Sequence, residues 1–182
     1  MLFRVSLAAI CLTLASPLFA GTVDLRLRER CHAGECTFTN IIATRTIGKN
    51  AGGYLMEVKA RSASLRIPPK ADDPSTMKPP KNYGLVRVLY IYCSTEKPAL
   101  IFYDKRFYAH LLKIGEKASG YEIDSHIEYW AVCHDKIVSV ADVTDGKLAK
   151  EAADLGYGKF PDDWGRQRDF RTKKRAFRFF GL

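Results

Sequence analysis

Four cysteines, Cys31, Cys36, Cys93 and Cys133, remain once the apolar leader of this chain is set aside. They constrain the fold more than any other feature, because four cysteines in an exported domain read as two disulfides. The leader supplies that context. "MLFR" is a short basic start, "VSLAAICLTLAS" is an apolar run, and "PLFA" ends on small Ala20 before Gly21. The pattern is that of a secretory signal peptide over residues 1–20, cut after Ala20, and Cys11 leaves with it. The run is too short to span a bilayer, which takes about 20 apolar residues. No later stretch is apolar enough to do so. The mature chain is therefore expected to be periplasmic or secreted, with no transmembrane segment.

Three pairings of the cysteines are open, and two bonds are preferred. Cys31 with Cys36 would close the short "CHAGEC" loop around Gly34, and Cys93 with Cys133 would join two strand candidates. Chain entropy assigns about 2 kcal/mol to the short loop and about 4 kcal/mol to the long one. Zinc thiolate and thioredoxin-like motifs usually set two residues between their cysteines, and "CHAGEC" sets four. The spacing thus argues for a staple. A metal or redox site on Cys31, His32, Cys36 and His134 is the rival reading.

Around the cysteines the chain alternates like half-buried strands. In "TVDLRLRER", Val23, Leu25 and Leu27 oppose Asp24, Arg26 and Arg28. "CTFTNIIATRTIG" and "YLMEVKARSASLRI" flank the turn "NAGG" and extend a β-meander over 22–67. The segment 68–82 holds five of the eight prolines, which excludes a helix interior or central strand and predicts an exposed loop. "YGLVRVLYIYCS" is apolar in both phases, as a central strand covered on both faces would be. "KPALIFYDKRFYAHLLKI" is one long strand or a hairpin turning at Asp104–Lys105. "SHIEYWAVCH" reads as a strand over 125–134. Thr144 or Asp145 can cap a helix through "GKLAKEAADL", which Gly156 would end. The expected fold is mainly β, a β-rich α+β domain over 21–165. It would hold an antiparallel sheet, small barrel or sandwich with one C-terminal helix and two disulfides.

Charge is concentrated at the end of the chain. Residues 21–165 hold 21 basic and 19 acidic residues, whereas the tail 166–182 holds seven basic residues and one acid. Arg166, Arg168, Arg171, Lys173, Lys174, Arg175 and Arg178 alternate with Phe170, Phe177, Phe179 and Phe180. Such a tract suits an anionic envelope polymer, a membrane surface or an acidic protein. Export argues against nucleic acid. The plainer reading is a solvated tail or a helix whose phenylalanines dock on the domain.

Catalytic patterns are sparse. None of Ser94, Ser119, Ser125 and Ser139 sits in a G-x-S-x-G elbow. No phosphate loop or other cofactor motif is present. Glu122, Asp124 and Glu128 could serve an envelope-polymer hydrolase as acid and base, against the plainer reading of a solvated strand edge. Tyr108, Tyr129 and Trp130 could anchor a partner, against the plainer reading of core packing. The leading expectation is a non-enzymatic exported binding module. Deleting Arg166–Leu182 is expected to weaken salt-sensitive binding and leave the fold intact.

Overall fold

Alternation in the first strand and a turn that suits its twist start the sheet. β1 (Thr22–His32) and β2 (Glu35–Asn50) are joined by Ala33 and Gly34 alone. Both have positive φ, 49° and 81°, the two-residue turn whose twist matches an antiparallel hairpin. Cys31 and Cys36 are register partners beside that turn, and the disulfide between them crosses the ladder. The computed structural model describes residues 22–69 and 76–182. The leader, its cut after Ala20, and residues 70–75 of the proline-rich loop lie outside the described residues.

β2 turns through Ala51–Gly52 into β3 (Gly53–Arg66), which pairs with β4 (Val86–Cys93). Gly53 has φ 155° and sits against the Cys93 carbonyl, so a side chain there would strike β4. β5 (Ala99–Asp104) and β6 (Arg106–Leu111) form a hairpin about Lys105, which takes a positive φ of 59°. The alternative of one long strand across these residues is excluded. β7 (Gln167–Phe170) adds to β6, giving a seven-stranded antiparallel sheet whose strand order is the chain order.

The sequence expectation fails at residues 125–134. They belong to α1 (Glu122–His134), not to a strand. β-branched and aromatic residues suggested extension, but Ile123, Ile127, Trp130 and Ala131 recur at helical spacing and are buried together. Tertiary burial of that stripe outweighs the local strand preference. The expected helix after Thr144 is shortened: it begins only after Leu148, and neither Thr144 nor Asp145 caps it. α2 (Val140–Thr144) begins at a Ser139–Asp142 capping box and ends at Thr144. α3 (Ala149–Asp154) follows, and Gly156 at φ 90° ends it as expected. α4 (Lys173–Phe179) starts at Thr172, whose hydroxyl accepts the Arg175 N–H at 3.3 Å.

Each face of the sheet has its own cover. Leu27, Ile41, Val58, Leu89 and Ile91 pack under Ile127, Tyr129 and Trp130 of α1. Leu55, Tyr90, Tyr92, Ile101 and Leu111 pack under Ala176 and Phe180 of the C-terminal segment. Full burial of a large apolar side chain stabilises by roughly 1.5–3 kcal/mol, so both layers matter. Cys93 and Cys133 are bonded, tying the end of β4 to the end of α1. The molecule is thus an antiparallel β-sheet with a C-terminal helix and two disulfides, as expected.

Candidate functional site

The basic tail is docked. Phe180 packs on Tyr92 at 4.9 Å, Phe177 on Tyr90 at 5.1 Å, and Phe179 on Phe170 at 5.6 Å. Asn50 Nδ2 donates to the Phe180 carbonyl at 2.6 Å, while Asn50 Oδ1 accepts from Tyr92 at 2.7 Å. Deletion of 166–182 would therefore uncover the second core, so the expectation that the fold survives it is corrected. Two of the seven tail cations have local partners. Arg168 pairs with Asp163 at 3.1 Å, and Lys173 lies on the Tyr90 ring and donates to its hydroxyl at 2.7 Å. Arg166, Arg171, Lys174, Arg175 and Arg178 are exposed and form no ion pair among the described residues.

A second feature lies on the opposite cover. β4 and β5 pair only from Tyr90 to Tyr92, whereas β3 and β4 pair down to Val86 and the β5–β6 hairpin continues to Asp104. The strands separate there and leave a cleft of ≈ 320 Å³. Glu29, Arg87, His110, Asp124, Ser125 and Glu128 contribute its polar lining, and Phe102, Tyr103 and Tyr121 its aromatic lining. Tyr103 and Tyr121 are 63% and 53% exposed.

Strand phase explains how charges reach that depth. Glu29 continues the inward phase of Leu25 and Leu27, and Arg87 that of Leu89 and Ile91. Arg87 donates to Glu128 at 2.5 Å, to Thr39 at 3.2 Å and to Ser62 at 3.2 Å. The Arg30 amide donates to Asp124 at 2.9 Å, and its guanidinium lies 3.4 Å from the same carboxylate. Glu29 is only 4.0 Å from Arg87, and its buried Oε1 has no hydrogen-bond partner. Burial, and then the charge of Glu128, pushes the Glu29 carboxyl up to about 8. Burial also raises Glu128 and Asp124, against the pull of the guanidiniums.

His110 lines this cleft, and the buried His126 lies close enough to His110 to feel its charge. His110 Nδ1 is 3.1 Å from Ser125 Oγ, and its buried Nε2 has no hydrogen-bond partner, with Glu122 at 3.8 Å. Burial lowers His110, and it lowers His126 to about 3. Both imidazoles are neutral at pH 7.

The remaining sequence candidates separate. Glu122, Asp124 and Glu128 share α1, but Glu128 is buried against Arg87, so the solvated-edge reading fails there because a strand partner neutralises it. Tyr129 and Trp130 are fully buried and present no surface, which corrects their place as interface residues. The Tyr129 hydroxyl is held by Ser94 and by Tyr157 at 2.9 Å, and burial raises it well above its ordinary range. Tyr108 is half-buried and stacked on Phe102 at 5.6 Å. Cys31 and Cys36 use both sulfurs in their bond. His32 is exposed beside the first turn, while His134 binds the Tyr157 hydroxyl at 2.7 Å. Among the described residues, no group of three or more His, Cys, Asp or Glu is placed to hold a metal.

Sequence reading missed Glu29, Arg87 and His110 as a group. The available signal was a charge standing in the apolar phase of two strands. No family model, curated protein or solved structure matches this chain.

Proposed function

We propose that this protein is an exported, non-enzymatic binding module that holds an anionic envelope polymer against its C-terminal segment. The observation that carries the reading is the set of five exposed tail cations without ion-pair partners among the described residues. Docking of the neighbouring phenylalanines fixes these charges on a folded surface, so less conformational entropy is lost on binding. The same docking supports a polymer over a membrane. Phe177, Phe179 and Phe180 are used against the sheet and are not presented for insertion into lipid. Arginine matches phosphate and carboxylate oxygens in a bidentate manner, which suits repeating anionic groups. Two disulfides agree with an oxidising compartment.

The test replaces charge and keeps the fold. Lys174→Glu/Arg175→Glu/Arg178→Glu is compared with the native protein on dextran sulfate, neutral dextran and anionic phospholipid vesicles. Retention on dextran sulfate is expected to fall at least tenfold in the variant and to weaken with salt in the native protein. Equal retention of the two proteins would remove the tail from the function. Binding to vesicles but not to dextran sulfate would transfer the role to a membrane.

A further inference from the structure

We propose that the cleft between β4 and the β5–β6 hairpin binds an alkylammonium group, seated against Glu29 and rimmed by Tyr103 and Tyr121. The site is separate from the tail. Its charge is unbalanced in one specific way. Three carboxyl groups, Glu29, Asp124 and Glu128, meet two guanidiniums. Arg30 is committed to Asp124 at 3.4 Å and Arg87 to Glu128 at 2.5 Å. Glu29 has no cation of its own within hydrogen-bond distance.

An independent observation points to a missing partner. One polar atom at the cleft, Glu29 Oε1, is buried without a hydrogen bond, and its residue is 4% exposed. An orphaned buried polar atom is costly, and a ligand donor would satisfy it. A cation fits and an anion does not, since an anion would meet three carboxyl groups. His110 is no obstacle, because burial keeps its ring neutral. The aromatic rings at the rim add attraction for an ammonium over their faces. A volume of ≈ 320 Å³ lies at the small end of ligand sites, which suits one amine-bearing chain.

Proton balance follows from the groups that face Glu29. These are Thr39 on β2, Arg87 on β4, and Asp124 and Glu128 on α1. With the cleft empty, their balance and the burial leave the Glu29 carboxyl protonated at pH 7. An incoming ammonium keeps its own protons and drives the Glu29 proton out to the buffer. The bound pair is then carboxylate and ammonium.

Calorimetric titration of the full protein with butylammonium and with the peptide Gly-Lys-Gly tests this, run in two buffers of different ionisation heat. Near pH 6.5 about one proton is expected to be released per ligand, and near pH 9.5 almost none. Affinity should rise about tenfold per pH unit below pH 8 and level off above it. Glu29→Gln, which keeps the volume but cannot ionise, is expected to lower affinity at least tenfold. Tyr103→Ala, at an exposed position, should lower it several-fold. Binding of butylammonium assigns the site to small amines, and binding of the peptide alone assigns it to a lysine side chain. Binding without proton release, binding unchanged by Glu29→Gln, or no binding of either probe at millimolar concentration overturns the proposal.

Discussion

Glu29 is the residue whose environment is most at odds with its charge. Its folded value of about 8 stands above the unfolded value near 4.5, so ionisation opposes folding. The stability associated with its neutral form is complete below the unfolded value and is lost as pH rises toward 8. His126 works in the opposite sense. Its folded value of about 3 lies below the ordinary 6.5, so it favours folding as pH rises through that interval. Above pH 6.5 the histidine contribution is level and the Glu29 loss continues. Denaturant midpoints are therefore expected to fall between pH 6.5 and 8 in the native protein, with Glu29 contributing up to about 1.4 kcal/mol per pH unit. Glu29→Gln should flatten that window. An unchanged slope in the variant would show that Glu29 is already ionised in the folded protein. These residues were legible only in part. The alternation of "TVDLRLRER" identifies β1, but it takes the third dimension to bring Arg87 and Glu128 to the same depth as Glu29.

At the scale of elements, the hairpins were written locally and α1 was not. Ala33–Gly34, "NAGG" and Asp104–Lys105 each carry their turn chemistry within a few residues. The segment 125–134 contains both a strand-like composition and a helical stripe, and the stripe becomes decisive only because a sheet lies beneath it. The same correction explains the second disulfide. Cys133 reaches Cys93 from the end of a helix, not from a second strand. The two bonds should differ in consequence. Cys31→Ser/Cys36→Ser removes a link across an already paired ladder, with an expected loss of about 2 kcal/mol. Cys93→Ser/Cys133→Ser frees α1 from β4, with an expected loss of about 4 kcal/mol. Urea unfolding of the two double variants measures both, and equal losses would contradict loop length as the controlling quantity.

At the scale of the whole molecule, the first and last strands form the two edges of the sheet. Composition separated a nearly neutral body from a basic tail, but it could not show that the tail supplies β7 and one cover of the core. Phe170, Phe177, Phe179 and Phe180 looked equally suited to lipid and to protein. The ring partners of Phe177 and Phe180, Tyr90 and Tyr92, are almost 90 residues away in sequence. That distance is the physical reason the docking was not legible.

Chain-order strand pairing also sets a time order. β1–β2–β3 and β4–β5–β6 form from neighbouring hairpins, whose short closures are fast, whereas β3 meets β4 across residues 67–85 and β7 reaches β6 only after α1, α2 and α3 intervene. The α4 cover is accordingly expected to assemble after the rate-limiting step. Phe180→Ala is expected to cost about 3 kcal/mol, and nearly all of it should appear as unfolding about a hundredfold faster. Refolding in stopped-flow denaturant jumps should keep its native rate. A slowed refolding limb would mean that the tail is part of the nucleus. The cover that carries the free cations is then also the part that leaves first, so residence of the folded state is governed from the end of the chain.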